Sequence, residues 1–476
     1  MAEKLYEKIA LELQERIHKG YYAVGTKLPS IRHLAKEYQV SISTIQQAYL
    51  VLEESGFTEV KPKSGHYVKQ PSQTPNLPKA TKPVQMPLKV RQWEQMCHLI
   101  SEAEDGQLLN LGWAIPNVSA PSLKPLTKAA SEITRSLGEK IFNYDYIRGS
   151  KKLREQIARI GIEAGSHVHP EEIIVTSGCQ EALVSSLRVV TSPGDIVAID
   201  SPCFFGAIQA IEANGLKALE IPTHPKTGIS IDALELALEQ WPIKALMITP
   251  TCNNPLGYTM PDANKKALLA CTENYDLPII EDDIYGDLSF KYPRPKSLKS
   301  FDTQGRVILC SSFSKTVAPG LRIGWVSAGR YAEKVMHMKY VSSLSSGTLQ
   351  QMALSDFIAT GGYERHLRKM RANYKAARDI TLDLIQRHFP ANTRVSDPDG
   401  GFLLWLELDS AIDTTELNLK LREIGITIAP GEMFSASGKY KNQLRLNFSS
   451  APSEVFEWGI KAIGKQCYQM LDFNTH

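Results

Sequence analysis

Leu5, Ile9, Leu13 and Ile17 recur every four residues ahead of Gly20, a pattern that predicts an amphipathic helix over residues 4 to 19 with a glycine stop. After Gly25 and Pro29, Ser30 caps a short second helix carrying Leu34 and Ala35. A brief turn at Gln39 and Val40 leads to a third helix. There Ser43 with Gln46 fits a capping box, and Ile45, Ala48 and Leu52 form the apolar stripe. The opposite face of that helix is small and polar. Residues 58 to 61 and 65 to 68 read as two short strands joined by a turn at Pro62, Lys63 and Ser64. Three helices followed by a basic hairpin make a mainly α winged helix-turn-helix, a DNA-reading module over residues 1 to 69.

The pattern stops at Gln70. From there to about Met96 the chain carries Pro71, Pro75, Pro78, Pro83 and Pro87 among polar and basic residues, which cannot form a core and should be extended. Residues 70 to 104 are assigned to this Pro-rich basic linker and a connecting helix. A free coil of that length spans roughly 30 Å on average and about 100 Å when stretched. From 105 to 476 short β-rich apolar runs alternate with helical stretches: 173 to 176, 196 to 199, 245 to 249, 278 to 280 and 307 to 310. Continuous apolar strands between helices predict an α/β domain whose mainly parallel sheet is covered on both faces, with ligands gathered at the strand ends. From about Thr360 long helical patterns, then 402 to 408 and 443 to 448, predict a smaller α+β subdomain.

Composition narrows the class only modestly. With 476 residues, 43% apolar and 22% charged, this is an ordinary globular composition large enough for two or three domains. No apolar run of about 18 residues occurs, so a cytoplasmic protein without membrane contact is expected. The seven cysteines are scattered without a Cys-x-x-Cys pair, against a disulfide framework or a zinc site, and no metal is expected. The net charge of +3 is too small to demand a polyanionic partner. Its distribution says more, since Lys61, Lys63, Lys69, Lys79, Lys82, Lys89 and Arg91 face only Glu94 between Lys61 and Gln95. A solvated linker and a DNA-hugging one explain that run equally well.

The chemistry concentrates at predicted strand ends. Lys315 stands in Ser311-Ser312-Phe313-Ser314-Lys315-Thr316, just after an apolar run and before Ala318-Pro319-Gly320-Leu321-Arg322. Pyridoxal phosphate requires a lysine for its aldehyde, an acid for its ring nitrogen, donors for its phosphate and a flat group over its ring. Asp282, ending 279 to 282, supplies the acid, and Tyr285 reaches the ring hydroxyl. Ser177, Gly178 and Cys179 pass from strand to helix, where backbone N–H groups cradle phosphate at a positive helix N-terminus. Ser312 and Arg322 complete the cup. Ser312-Phe313-Ser314-Lys315 also matches the Ser-x-x-Lys signature of penicillin-binding enzymes. The accompanying Lys226-Thr227-Gly228 comes in the wrong order, however, and no Ser-Asp-Asn occurs.

From about Leu109 onward these motifs, in this order, resemble a fold-type I, class I aminotransferase. With its N-terminal module the chain is similar to the MocR branch of the GntR-family regulators. The resemblance implies that Lys315 holds the cofactor as a Schiff base, that Asp282 pairs with the pyridine nitrogen, and that Tyr285 and Asn254 hold the ring oxygen. It places Phe204 against the ring and gives Arg445, with Asn254, to a substrate carboxylate. Tyr144 would reach the phosphate of the other subunit's cofactor, which implies a homodimer. In the N-terminal module the match runs through 28 to 32, 41 to 49 and the wing at 64 to 68. Ile42 stands where many members carry arginine, so base reading falls on Ser43, Thr44, Gln46 and Gln47, with Ser41 and Gly65 in the same motifs. Arg32, Lys61 and Lys63 suit phosphate contacts. Leu256 and Ile147 also depart from the family's usual threonine and proline.

Each residue alone has a duller explanation. Phe204 as core, Asp282 as a solvated turn, Arg445 as half a salt bridge and Tyr144 as a surface aromatic are ordinary, but independent accidents would not arrive in one order. Cys179, Cys203 and Cys252 invite a redox reading that apolar packing explains better. The expectation is a regulator that binds a double-stranded DNA operator and senses pyridoxal 5'-phosphate, or an amine or amino acid that condenses with it. The rival is a working aminotransferase with an accessory DNA-binding module, and a third reading is a cofactor-free dimerisation scaffold.

Overall fold

The computed structural model describes residues 5–54, 57–61, 64–69, 75–82, 86–90, 93 and 108–473. Lys63, residues 91 and 92, and 94–107 of the proposed linker and connecting helix lie outside the described residues. The chain divides into two compact units, Met1–Pro75 and Asn76–His476.

In the first unit α1 (Leu5–His18), α2 (Ile31–Glu37) and α3 (Ile42–Glu54) precede the hairpin of β1 (Thr58–Lys61) and β2 (Gly65–Val68). The four-residue spacing in α1 buries Ile9, Leu13 and Ile17 against Leu34, Ile45, Ala48, Tyr49 and Leu52, all nearly sealed from water. Ser30 caps α2 by accepting the His33 N–H. The third helix starts earlier than the capping-box reading placed it. Ser41, not Ser43, is the cap, accepting the Thr44 N–H at 3.2 Å. The wing is tied to its own unit, with Leu28 N–H donating to His66 O and Val68 N–H to Thr26 O.

Among the described residues the second unit carries, in chain order, β3 (Leu88–Lys89), β4 (Leu109–Asn110), β5 (Ile173–Thr176), β6 (Ile196–Ser201), β7 (Lys217–His224), β8 (Gly228–Ile229), β9 (Ile243–Ile248), β10 (Ile279–Asp282), β11 (Val307–Ser312), β12 (Gly324–Ser327), β13 (Arg394–Val395), β14 (Leu403–Glu407), β15 (Ile426–Thr427), β16 (Ala429–Pro430) and β17 (Gln443–Asn447). The large sheet runs β3-β7-β6-β9-β10-β11-β12-β5. Its centre from β7 to β11 is parallel, and β12 is antiparallel to both β11 and β5. Buried β-branched and leucine side chains on both faces explain the continuous apolar runs. Besides the two-residue strands, β7 and β12 are absent from the apolar runs: β7 mixes apolar positions with Glu220, Thr223 and His224, and β12 is short and interrupted by Trp325 and Ser327. The smaller subdomain is the antiparallel sheet β13-β14-β17-β16. It is joined by β4, which pairs with β15 although it comes from far earlier in the chain.

The stretch from Asn76 is extended as expected, but it is not the free coil its composition predicts. Val395 N–H donates to Asn76 O and Lys79 N–H to the Glu407 carboxylate, each at 2.9 Å. The Thr81 hydroxyl donates to Ser201 O at 2.8 Å, and β3 adds to the sheet edge at β7. Backbone donors and acceptors in a proline-rich strand still need partners, and the larger body supplies them.

The buried stripe of α1 yields a contrast. Leu13→Ala removes a side chain that is 0% exposed and should cost the helical unit about 2–5 kcal/mol in denaturant unfolding. Leu11→Ala, on the 52%-exposed face of the same helix, should stay within about 0.5 kcal/mol. Equal losses would contradict this packing.

Candidate functional site

The parallel strands end together, and their last residues place the site. Lys315 lies three residues past the end of β11, in a turn closed by Phe313 N–H donating to Ile323 O and Val317 N–H to Phe313 O. Its amine donates to Ala114 O at 2.6 Å. Removal from water pushes that amine down to about 8, with Arg445 and Arg322 adding to the shift and Asp282 opposing it. Asp282, the last residue of β10, is buried, and burial pushes its carboxyl up to about 6. Its Oδ1 accepts the Ile284 N–H at 3.2 Å and the Cys179 thiol at 3.6 Å. The Tyr285 hydroxyl is buried without a hydrogen-bond partner, its ring edge-on to Phe402.

Arg445, on β17, is 1% exposed, yet all its hydrogen bonds go to neutral acceptors. Nε and Nη2 donate to Gly112 O at 3.3 and 2.7 Å, and Nη1 donates to Asn254 Oδ1 at 2.9 Å. Burial lowers the guanidinium to about 10. Phe434 and Phe205 wall it, with ring centroids 4.8 and 5.9 Å from its central carbon. Such an arginine is set up to receive an anion.

The turn between β5 and the helix Cys179–Val190 forms the opposite end of the site. Gly178 caps that helix at φ +92, and a Cβ there would come within 2.5 Å of the Arg322 guanidinium. Arg322 is itself in the left-handed region at φ 50, and its Nη2 donates to Ser177 O at 3.0 Å. The Ser177 N–H is turned away, to Glu181, whose carboxylate also takes Lys339 Nζ at 3.1 Å. With the Ser177 N–H taken, the donors this turn can offer are the helix N-terminus, Arg322 and the hydroxyls of Ser177 and Ser312. The Ser312 hydroxyl accepts the Ser314 N–H at 3.3 Å.

The structure thus brings Asp282 to Cys179, Arg322 to Ser177 and Gly178, and Arg445 to Asn254 through direct contacts, with Lys315 near enough to feel the charges of Arg445, Asp282 and Arg322. Phe204 starts the helix Phe205–Ala213, its ring 5.0 Å from that of Phe205. Tyr144 is 84% exposed, in a segment with exposed Phe142 and Tyr146, and contacts none of these residues within one chain. Sequence reasoning missed the carbonyls of Gly112 and Ala114, which sit in no motif. It also missed Phe205, whose neighbour Phe204 drew the attention, and the buried Lys339–Glu181 pair. Among the described residues no cluster of His, Cys, Asp and Glu is placed to hold a metal ion, and no helix is long and apolar enough to cross a membrane.

In the first unit Arg32, Ser41, Ser43, Gln46 and Gln47 are exposed and Thr44 is half-buried. The hydroxyls of Ser43 and Thr44 each lie 2.8 Å from Ser41 Oγ, while Gln46 and Gln47 project from the exposed face of α3. Lys61 lies 4.5 Å over the Tyr67 ring and 3.6 Å from Glu59. Gly65 turns the wing at φ +117, beside Lys27.

These residues fit pyridoxal phosphate: an unpartnered buried Tyr285 hydroxyl, a glycine cradle that a Cβ would fill, a buried carboxylate and a depressed amine. Fold and strand-end chemistry together define an aminotransferase-like body carried behind a winged helix-turn-helix. Residues 108–463 match the model of aminotransferase class I and II, and residues 5–68 match that of bacterial regulatory proteins of the gntR family. The chain belongs to these families joined in one polypeptide, the helix-turn-helix regulators of the MocR kind. It is 45% identical over 467 residues to the uncharacterized HTH-type transcriptional regulator YjiR of Escherichia coli, covering 98% of this chain and 99% of that one. It is 28% identical over 431 residues to the HTH-type transcriptional regulator NorG of Staphylococcus aureus, covering 90% and 96%. Among solved structures, the multiple substrate aminotransferase of Thermococcus profundus superposes with a TM-score of 0.73 at 29% identity, covering 79% of this chain and 95% of that one. The α-aminoadipate aminotransferase LysN of Thermus thermophilus, complexed with N-(5'-phosphopyridoxyl)-L-leucine, gives 0.72 at 29%, with the same coverage. The aminotransferase class I and II fold implies dependence on pyridoxal phosphate.

The depressed amine sets a pH window. Its folded pKa, about 8, lies below the ordinary 10.5, so folding disfavours the ammonium, and this group's contribution to stability rises with pH between those values. Reductive methylation of Lys315 should be half-maximal near pH 8. Asp282→Asn should move the midpoint lower, because it removes the carboxylate that favours the ammonium. Titration near 10.5 would contradict this environment.

Proposed function

We propose that this chain is a DNA-binding transcriptional regulator whose second unit binds pyridoxal phosphate through Lys315 and senses the cofactor, or an amine or amino acid that reacts at it. The observation that carries the reading is Arg445, buried beside Lys315 with only neutral acceptors, in a chain that begins with a gntR module. Residues 1–69 read DNA, 70–104 connect, and 105–476 bind the effector and dimerise.

When bound, the cofactor supplies an aldehyde for amine exchange and an electron-withdrawing ring. The chain's own residues do the rest. Lys315 supplies an amine largely neutral above pH 8, so it can act as a nucleophile or accept a proton at Nζ. Asp282 has one oxygen occupied by Ile284 and Cys179, and it is poised to keep a ring nitrogen protonated. Tyr285, whose buried hydroxyl has no partner, and Asn254 would hold the ring oxygen. Gly178, Cys179, Ser177, Ser312 and Arg322 would hold the phosphate. Phe204 would supply the aromatic group for the ring. Arg445 takes the ligand's carboxylate on the Nη1 and Nη2 hydrogens that Asn254 Oδ1 and Gly112 O leave unused. Tyr144 reaches the partner's phosphate in a homodimer, a role in keeping with its exposure among aromatic neighbours.

In the winged unit Gln46 and Gln47 reach base edges in the major groove, with Ser41, Ser43 and Thr44 fixing the start of the recognition helix. Arg32, Lys61, Lys63 and the wing turn at Gly65 follow the phosphates. Arg32→Ala should weaken binding to all duplexes and reduce the slope of log affinity against log salt by about one. Gln47→Ala should mainly relax sequence preference, by about 1–3 kcal/mol at one base pair. Retention of DNA that is independent of salt and sequence would overturn the regulatory reading. Lys315→Ala should abolish the visible absorbance of bound pyridoxal phosphate, and an unchanged band would refute the lysine's assignment.

A further inference from the structure

The segment 110–115 passes over the site and makes contact with both of its cations. Gly112 O accepts from Arg445, and two residues on Ala114 O accepts from Lys315 at 2.6 Å. Trp113 is the residue between those two contact points. Its backbone is fixed from every side. The Asn110 Oδ1 accepts the N–H of Gly112 at 3.2 Å and of Trp113 at 2.9 Å. Asn447 Nδ2 donates to Trp113 O at 2.6 Å and to Ile115 O at 2.9 Å. A Cβ on Gly112 would lie 2.4 Å from the Ile428 backbone, so the segment has no room to shift toward the small sheet.

The Trp113 ring meets Phe205 edge-on at 5.7 Å, and Phe205 meets Phe434 edge-on at 6.2 Å. Phe205 and Phe434 are the rings that wall the Arg445 guanidinium. An aromatic surface therefore runs from the Arg445 guanidinium to Trp113, the residue between the two carbonyls that accept from Arg445 and Lys315. The Trp113 side chain is half-buried, and the neighbouring Ile115 is 51% exposed, so the wall reaches the open side of the site.

The charges that act most strongly on Lys315 are Arg445, Asp282 and Arg322, and the proposed function gives them to a carboxylate, a ring nitrogen and a phosphate. A ligand side chain bearing its own charge would have to lie on apolar rings with none of these free to pair with it. A flat uncharged side chain would gain edge-to-face and stacking contacts there.

We infer that the ligand of this site is an α-amino acid with an aromatic side chain, and that Trp113 and Phe205 select it. This rests on the reading of Lys315 and Arg445 as an amino-acid site. Trp113 and Phe205 are specificity residues, since neither carries a group that could take part in proton transfer at the lysine.

The test is a titration of full-length protein loaded with pyridoxal phosphate, following the cofactor's visible absorbance with L-phenylalanine, L-tryptophan, L-alanine, L-glutamate and L-lysine. Phenylalanine and tryptophan should half-saturate at concentrations about 10-fold or more below the other three, the scale of discrimination one apolar pocket supplies. Trp113→Ala and the gentler Phe205→Leu should each erase most of that preference. Retained cofactor absorbance and an unchanged far-ultraviolet circular dichroism spectrum would show that both variants are folded. Half-saturation by glutamate or lysine at or below the phenylalanine concentration overturns the inference, as does an aromatic preference that survives in both variants. If the cofactor band is present and none of the five amino acids alters it, the amino-acid reading of the site falls, and this inference with it.

Discussion

A buried guanidinium without a carboxylate is the constraint around which the second unit is arranged. Removing a charge from water costs several kcal/mol unless something compensates, and Arg445 is compensated only by Gly112 O, Asn254 Oδ1 and two aromatic faces. That arrangement requires a carbonyl delivered from residue 112, so β4 must leave the linker and pair with β15 in the small subdomain. It requires Asn254, six residues past the end of β9, to face β17. Lys315 repeats the same logic with Ala114 O, so the two cations are held in place by one short backbone segment. A site whose cations rest on neutral acceptors gains most from an arriving anion, which is how a ligand's presence becomes a structural event.

The surrounding charges are handled differently. Asp283 and Asp287 pair with Arg294 inside the protein, and the Tyr363 hydroxyl donates to Asp287 at 2.5 Å. Glu281 accepts the Leu298 and Lys299 N–H groups at 2.7 and 2.8 Å. These partners fix the loop after β10, so Asp282 and Tyr285 present their functional atoms without having to be ordered by a ligand. The extended segment 76–82 is fixed too. It is hydrogen-bonded both to the ends of β6 and β7, at Ser201 and Thr223, and to β13 and β14, at Val395 and Glu407. A displacement of the small sheet against the large one would therefore act on the stretch of chain that follows the winged unit.

Much of this was legible in the sequence because periodicity and motif order are local properties. The four-residue repeat of α1, the strands of the wing and the apolar runs of β5, β6, β9, β10 and β11 follow directly from which residues are apolar. Lys315, Asp282, Tyr285 and Gly178 stand out as candidates because each ends or follows a strand that announces itself. The cap at Ser41 was missed because Ser41 and Ser43 both fit the chemistry, and only the backbone geometry distinguishes them. The docking of 76–82 was missed because proline-rich composition reports what a segment cannot form by itself, not which surface will satisfy its backbone. Gly112, Ala114 and Phe205 act through position alone, a carbonyl here and a ring there, and such roles leave no trace in residue type.

On the proposed function, filling the Lys315–Arg445 site changes how the winged unit holds DNA. The direct measurement is operator affinity of the full-length, cofactor-loaded protein across a concentration series of an amino acid, recorded beside the cofactor's absorbance. The two curves should share one midpoint, and DNA affinity should change by about 5–150-fold, the range of typical coupling between sites. Absorbance that saturates while DNA affinity stays constant would contradict the claim and leave the site an enzyme's.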